Sequence, residues 1–217
     1  DHACSFCVIP SLRGRYRSRS IADLLCEAKK LAAEGAKELI VIGQDITRFG
    51  WDRAGKSLLP QLVDALGAVR DIKWLRLLYT YPSTLTDEMI RAVVASKQVC
   101  RYIDLPLQHI SDKILKAMRR GSTKKQIIQL IQKLRVAIPD VVIRTSFIVG
   151  FPGETEDDFK ELLAFMRETQ FERLGIFRYS QEEGSPAALL PGQVSAKIKE
   201  DRYHRAMQLQ QGIVRDV

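Results

Sequence analysis

Two cysteines stand three positions apart near the start of the chain, in the run Asp1-His2-Ala3-Cys4-Ser5-Phe6-Cys7-Val8-Ile9-Pro10. Thiolates at that spacing serve three chemistries. A redox dithiol sits at a helix start, where the helix end lowers a thiol pKa, but Val8-Ile9-Pro10 reads as continuing loop. A tetrahedral zinc site needs about two further nitrogen or sulfur ligands, yet Cys26 lies deep in a helical pattern and Cys100 is isolated before a strand. Both of those read as core thiols. An iron–sulfur cluster takes its thiolates from a loop, and the Cys4–Cys7 segment suits it.

Other chemistry-bearing side chains gather after apolar runs. Gly43-Gln44-Asp45, Tyr79-Thr80-Tyr81-Pro82, Pro106-Leu107-Gln108-His109, Gly150-Phe151-Pro152-Gly153-Glu154 and Tyr179-Ser180 each follow such a run. Gln44 and Asp45 read either as contacts to a bound group or as a helix-capping turn. Arg144 and Thr145 interrupt the apolar stretch Val141–Val149. A buried Arg there needs a partner, either a cofactor carboxylate or a structural acid. Pro152-Gly153 suits a tight turn and Thr155 a helix cap, so backbone geometry alone can explain that segment. Tyr81, Gln108, His109 and Tyr179 stand where a substrate could be met, although a lone His also serves as a loop hydrogen-bonder. Arg13, Arg15, Arg17 and Arg19 alternate, so an extended chain would put all four on one side. That side reads as a phosphate-facing surface or as a solvated one. His2 and His204 read as surface residues.

The elements that must position these residues alternate. Ile21, Leu24, Leu25, Ala28, Leu31 and Ala32 recur at helical spacing after a Ser20/Asp23 capping pair, and Gly35 supplies the left-handed stop. Leu39 to Gly43 reads as a strand buried on both faces. A helix over Leu59–Val69, a strand over Trp74–Tyr79, a helix capped by Thr86 and a strand over Tyr102–Leu105 follow. Ser111 and Thr123 (with Gln126) open two helical stretches before the strand Val141–Val149. Thr155 with Asp158 caps a further helix, Leu174–Tyr179 is the last strand, and a closing helix starts near Ser195. Strands roughly 30 to 40 residues apart suit parallel crossovers and not hairpins. The class is α/β. No G-x-G-x-x-G follows the first strand, as a dinucleotide-binding sheet would show. Site residues at many strand ends point to a barrel, and five strands give a partial one. We expect residues 1–192 to form that single domain and 193–217 a helix leading out of it, with one more strand upstream of Asp1.

Composition narrows the partners. Of 217 residues, 46% are hydrophobic and 28% charged, which excludes a disordered or collagen-like chain. Lys plus Arg number 34 and Asp plus Glu 26, and 34 − 26 gives +8, a balance that favours anionic partners such as RNA or a ribosomal surface. No run approaches the ~18 apolar residues of a membrane span. The start at Asp1 and the stop at Val217 inside a helical pattern read as a segment of a longer protein. Four sparse cysteines fit a reducing cytoplasm.

The opening segment resembles the end of the radical S-adenosylmethionine signature C-x-x-x-C-x-Φ-C, with Phe6 as its aromatic and a first cysteine falling just before Asp1. Cys7-Val8-Ile9-Pro10-Ser11-Leu12-Arg13-Gly14, Gly43-Gln44-Asp45, Phe147 to Thr155 and Tyr179-Ser180 are similar to the methylthiotransferase family. Asp104 to Ser111 and Glu182-Glu183-Gly184 resemble its branch that modifies an aspartate of a small-subunit ribosomal protein. The tRNA-adenosine branch usually shows Gln-Ser-Gly where Gln108-His109-Ile110 stands. The resemblance implies a partial (β/α) barrel of the radical S-adenosylmethionine type. It implies a four-iron cluster on Cys4, Cys7 and the missing cysteine, with S-adenosylmethionine on the open iron. It implies a deoxyadenosyl radical that abstracts hydrogen from an unactivated carbon. It further implies a second cluster in an N-terminal domain, a C-terminal oligonucleotide-fold domain and an external electron donor. Gln44, Asp45, Arg144, Thr145 and Gly150 would then contact the cofactor, and Tyr81, Gln108, His109 and Tyr179 the substrate. The segment alone would be inactive. A non-catalytic basic barrel that binds RNA is the reading from another class.

Overall fold

The structure, a computed structural model, describes residues 2–216; Asp1 and Val217 lie outside the described residues. In chain order the first elements are α1 (Ile9–Arg13), α2 (Ile21–Ala33), β1 (Glu38–Val41), α3 (Trp51–Ala54), α4 (Leu59–Gly67), β2 (Trp74–Leu77) and α5 (Asp87–Ala95). Then come β3 (Val99–Asp104), α6 (Asp112–Ala117), α7 (Lys124–Ala137), β4 (Val142–Val149), α8 (Glu156–Thr169), β5 (Arg173–Arg178) and α9 (Ala196–Asp216). The chain forms two compact units: residues 16–105 with 130–142, and the remainder.

In the unit of residues 16–105, β1, β2 and β3 pair in parallel, Glu38 opposite Trp74 and Val41 opposite Leu77. The β2–β3 register slips between Leu75 and Leu77, a bulge. Connections of thirty or so residues carry helices across the sheet, as parallel pairing demands. Ser20 caps α2 by accepting from Asp23 N at 3.0 Å, and Gly35 (φ +100°) ends it. Thr86 caps α5, accepting from Met89 N. Leu62, Val63 and Leu66 of α4, Leu75 and Leu77 of β2, and Met89, Ile90 and Val93 of α5 are buried.

The strand expected to be buried on both faces is not. In β1, Glu38 and Ile40 are exposed and Leu39 and Val41 only half-buried. Just beyond it Ile42 is 66% exposed. The cause is position: β1 is the end strand of its sheet and is paired on one side only, so continuous apolar character does not by itself bring burial.

In the other unit, β4 and β5 pair in parallel from Arg144 opposite Arg173 to Val149 opposite Arg178. Gln108 adds an isolated parallel bridge to Phe147. Phe147, Phe165 and Phe171 meet edge-to-face with centroids 5.6 to 6.2 Å apart, an arrangement worth about 0.5–1.5 kcal/mol per pair beyond buried area. The capping box at Thr155 and Asp158 is complete and starts α8. The closing helix α9 packs on β5 and α8 in this same unit.

Several segments fold differently from the sequence expectation. Val8-Ile9-Pro10 is not loop: α1 begins there, because Pro in a first turn gives up an N–H that needs no helical partner. Arg13 therefore lies in a helix, and the four alternating arginines share no single extended segment. Cys26 is exposed and Cys100 half-buried, so neither is a fully buried core thiol. His2 is half-buried, whereas His204 is exposed and pairs with Glu200 at 2.9 Å. No helix among the described residues is long and apolar enough to cross a membrane.

Candidate active site

The Cys4–Cys7 segment folds as one turn, Cys7 N donating to the Cys4 carbonyl at 3.2 Å. Ser5 anchors it. Its amide donates to Met118 O at 3.1 Å, its hydroxyl to Ala117 O at 2.7 Å, and its carbonyl accepts from Ala187 N at 2.8 Å. Phe6 packs against a buried cluster of Ile114, Met118, Phe151, Tyr179 and Ala187. Cys4 is buried and Cys7 half-buried, so the turn presents one thiol from inside the protein and one nearer its surface. Among the described residues no three His, Cys, Asp or Glu side chains form a complete metal site. Two thiols in one turn do fit two corners of an iron–sulfur cluster by donor type and spacing.

A cavity of about 290 Å³ opens beside this turn. Phe6, Gln108, Ser146, Ile148, Phe177 and Tyr179 contribute to its wall. Alternation along β4 explains the membership: Ser146 and Ile148 lie on one face and Thr145, Phe147 and Val149 on the buried one. Gln108 sits at φ +73°, a conformation uncommon for a non-glycine residue and found at sites the surroundings hold fixed. Its amide donates to Ser146 O and its carbonyl accepts from Ile148 N, both at 2.8 Å.

The same unit holds a buried polar cluster. Glu154 Oε2 accepts from Gly150 N at 2.6 Å and Phe151 N at 3.1 Å. Its other oxygen accepts from Arg202 Nη1 at 3.0 Å, and both side chains are almost fully buried. Burial pushes the Glu154 carboxyl up to about 7, opposed by Arg202 and the two amides. His109 is fully buried; its Nδ1 accepts from Ser111 N at 3.0 Å. The ring proton is thus on Nε2, which finds no hydrogen-bond partner among the described residues and lies 3.9 Å from Glu154 Oε2. Burial pushes His109 down to about 3. Burial alone would raise Asp158, but hydrogen bonds from Lys113, Thr155 and Ser111 hold it well below the usual carboxylate range.

A histidine held at about 3 in the folded chain stays neutral while the unfolded chain takes a proton near its usual 6.5. Stability due to His109 is therefore present above about 6.5 and is lost as pH falls toward 3, with a slope approaching about 1.4 kcal/mol per pH unit. Glu154 acts oppositely between 4.5 and about 7, so the test compares wild type with His109→Gln. The wild-type advantage in urea midpoint is expected to shrink steadily below pH 6.5; an advantage independent of pH contradicts it.

The expected site residues fall as follows. Cys4, Cys7, Gln108, His109, Arg144, Thr145, Gly150 and Tyr179 share one unit, and Gln44, Asp45 and Tyr81 the other. Arg144 is exposed, not buried: it shares the face of Ser146 and Ile148, where β4 borders open space and not packed core. Thr145 faces the opposite way, is buried, and accepts from Leu107 N at 3.3 Å. Gln44 is exposed. Asp45 is buried and caps a 3₁₀ turn, accepting from Thr47 N at 2.9 Å. Tyr81 is buried, and its carbonyl accepts from Thr84 and Leu85 amides. His109 takes the loop hydrogen-bonding part and does not reach the surface. Sequence reasoning missed Arg120, which donates to Cys4 Sγ at 3.4 Å, and the Glu154–Arg202 pair. The available signal was a Glu inside a Gly/Pro turn.

Gly150 is under two constraints. It has φ +73°, and a Cβ there would stand 2.4 Å from Lys199 Cγ. Lys199 cannot easily yield, since its Nζ donates to Tyr179 O at 3.0 Å and lies 4.8 Å over the Tyr179 ring. Gly150→Ala is expected to cost about 1–3 kcal/mol from strain alone, read as a fall in urea midpoint. An unchanged midpoint would show that this backbone relaxes freely.

The chain belongs to the radical SAM superfamily, whose model matches residues 1–166. That family works with S-adenosylmethionine and a four-iron cluster. Among curated relatives, "Ribosomal protein uS12 methylthiotransferase RimO" of Desulforamulus reducens is 54% identical over 98% of this chain and 48% of its own length. The protein of that name from Pelotomaculum thermopropionicum is 52% identical over the same shares. The chain thus spans about half the length of these relatives. Among solved structures, Streptococcus suis SuiB bound to S-adenosylmethionine aligns over 100% of this chain and 45% of its own, with TM-score 0.65 and 17% identity. That likeness speaks to fold alone: an α/β partial barrel, the class that the strand–helix alternation predicts and the type that the resemblance implies.

Proposed function

We propose that this chain is the radical S-adenosylmethionine core of a methylthiotransferase acting on an aspartate of ribosomal protein uS12. The observation that carries it is identity of 54% to a RimO protein across almost the whole chain, with Cys4 and Cys7 held in one turn. Cys4 and Cys7 would hold two irons of the cluster, with the third thiolate coming from the cysteine that the resemblance puts before Asp1. Bound there, the cluster and S-adenosylmethionine supply hydrogen-atom abstraction from an unactivated carbon. Arg144, on the open face of β4, offers a cation to the methionyl carboxylate. Gly150, kept without a side chain by its positive φ and by Lys199, would offer its backbone to the adenine, and Glu154 fixes that loop through two amides. Thr145 fixes the backbone at Leu107; in the other unit Asp45 shapes the turn after Gln44 and Tyr81 the loop that follows β2. Gln108 and Tyr179 line the cavity that receives the substrate, while His109 braces the loop below.

A second cluster in an N-terminal domain and a C-terminal oligonucleotide-fold domain that helps bind the substrate belong to the rest of the protein, and an external donor provides the electron. The place of work is the cytoplasm. Mass spectrometry of uS12 and of tRNA from a strain lacking the gene tests the substrate. Loss of the methylthio group from uS12 alone is expected; loss from tRNA alone would overturn the reading.

A further inference from the structure

Arg120 follows α6 and is 5% exposed. The helix ends on a left-handed residue, Arg119 (φ +57°), closed by Arg119 N to Lys116 O and Arg120 N to Leu115 O, both 3.0 Å. Two consecutive backbone bonds therefore fix where the Arg120 side chain starts. Its guanidinium then joins two segments: Nη1 donates to Cys4 Sγ at 3.4 Å and Nη2 to the Pro106 carbonyl. The same helix end already receives Ser5 through Ala117 and Met118. A buried arginine calls for such partners, and one of them here is a cysteine sulfur.

We propose that Arg120 is a positioning residue for the cluster, one that fixes the Cys4 sulfur and sets the cluster's reduction potential. The inference rests on the reading of Cys4 as an iron ligand. A thiolate bound to iron carries excess negative charge, and a cationic N–H donor withdraws part of it. Hydrogen bonds and charge near the sulfurs are established levers on cluster potential. Because reduction adds negative charge, a fixed cation nearby stabilises the reduced form more than the oxidised one. The second bond, to Pro106 O, keeps the guanidinium from swinging away, so the effect does not depend on a mobile side chain. Lys cannot reproduce that geometry, since its single ammonium is not a planar two-pronged donor.

The test uses the full-length protein, reconstituted anaerobically, as wild type, Arg120→Met and Arg120→Lys. The cluster in question is recognised by the change in its electron paramagnetic resonance signal on adding S-adenosylmethionine. Its midpoint is measured by redox titration, and its loss by iron release to a chelator. Arg120→Met is expected to lower the reduced-to-oxidised ratio at fixed potential about tenfold, equal to about 59 mV for one electron, and to speed iron release. Arg120→Lys is expected to fall between. Wild-type midpoint and release rate in both variants would overturn the proposal. If Arg120→Met does not fold, Arg120→Lys decides alone: a lowered midpoint supports the proposal and an unchanged one refutes it. A wild-type protein with no S-adenosylmethionine-responsive signal would instead refute the assignment of Cys4 itself.

Discussion

Cys7→Ala in the full-length protein will abolish reductive cleavage of S-adenosylmethionine, with a loss of more than about 100-fold. Removing even an outer-shell partner of a metal ligand commonly costs 10- to 100-fold, and Cys7 is proposed as a ligand itself. The turn offers no replacement, because no three metal-binding side chains stand together among the described residues. Cys26→Ala and Cys100→Ala serve as controls. The first is exposed and the second half-buried on β3, and both are expected to keep wild-type cleavage, measured as deoxyadenosine formed under dithionite. Cleavage by Cys7→Ala within threefold of wild type would show that the pair does not hold the reacting cluster.

Arg202→Met is expected to destabilise the fold by about 3–5 kcal/mol, since it leaves Glu154 a buried acid without its cation. The pair is not simply a source of stability. Desolvating both groups is expensive, so replacing the two together with neutral groups costs far less than breaking the pair. The double variant Glu154→Gln with Arg202→Met should therefore recover most of the loss in urea midpoint. Cofactor affinity should not recover equally, because Glu154 also holds the amides of Gly150 and Phe151, and a neutral amide oxygen accepts from them more weakly. Equal losses in the single and double variants would contradict this account.

The sequence made local features legible and left long-range ones hidden. The capping pairs Ser20/Asp23 and Thr155/Asp158 act across three residues, and both are present. The Gln108 strand end was visible because turn chemistry follows an apolar run, although its left-handed backbone was not. The Arg120–Cys4 bond spans 116 positions and the Arg202–Glu154 pair 48; no periodicity reports such a meeting. Arg144 misled for a related reason. An apolar strand predicts burial only where both faces are packed, and one face of β4 borders the cavity. Likewise α1 was hidden by a proline, which breaks a helix in its interior but suits its first turn.

Iron and acid-labile sulfide analysis with Mössbauer spectroscopy, on full-length protein reconstituted without oxygen, addresses the cysteine turn most directly. Two four-iron clusters are expected, of which one disappears with Cys4→Ala or Cys7→Ala and has one iron whose spectrum changes when S-adenosylmethionine is added. Zinc held by the pair, or a full complement of clusters in both variants with none responding to S-adenosylmethionine, would contradict the assignment.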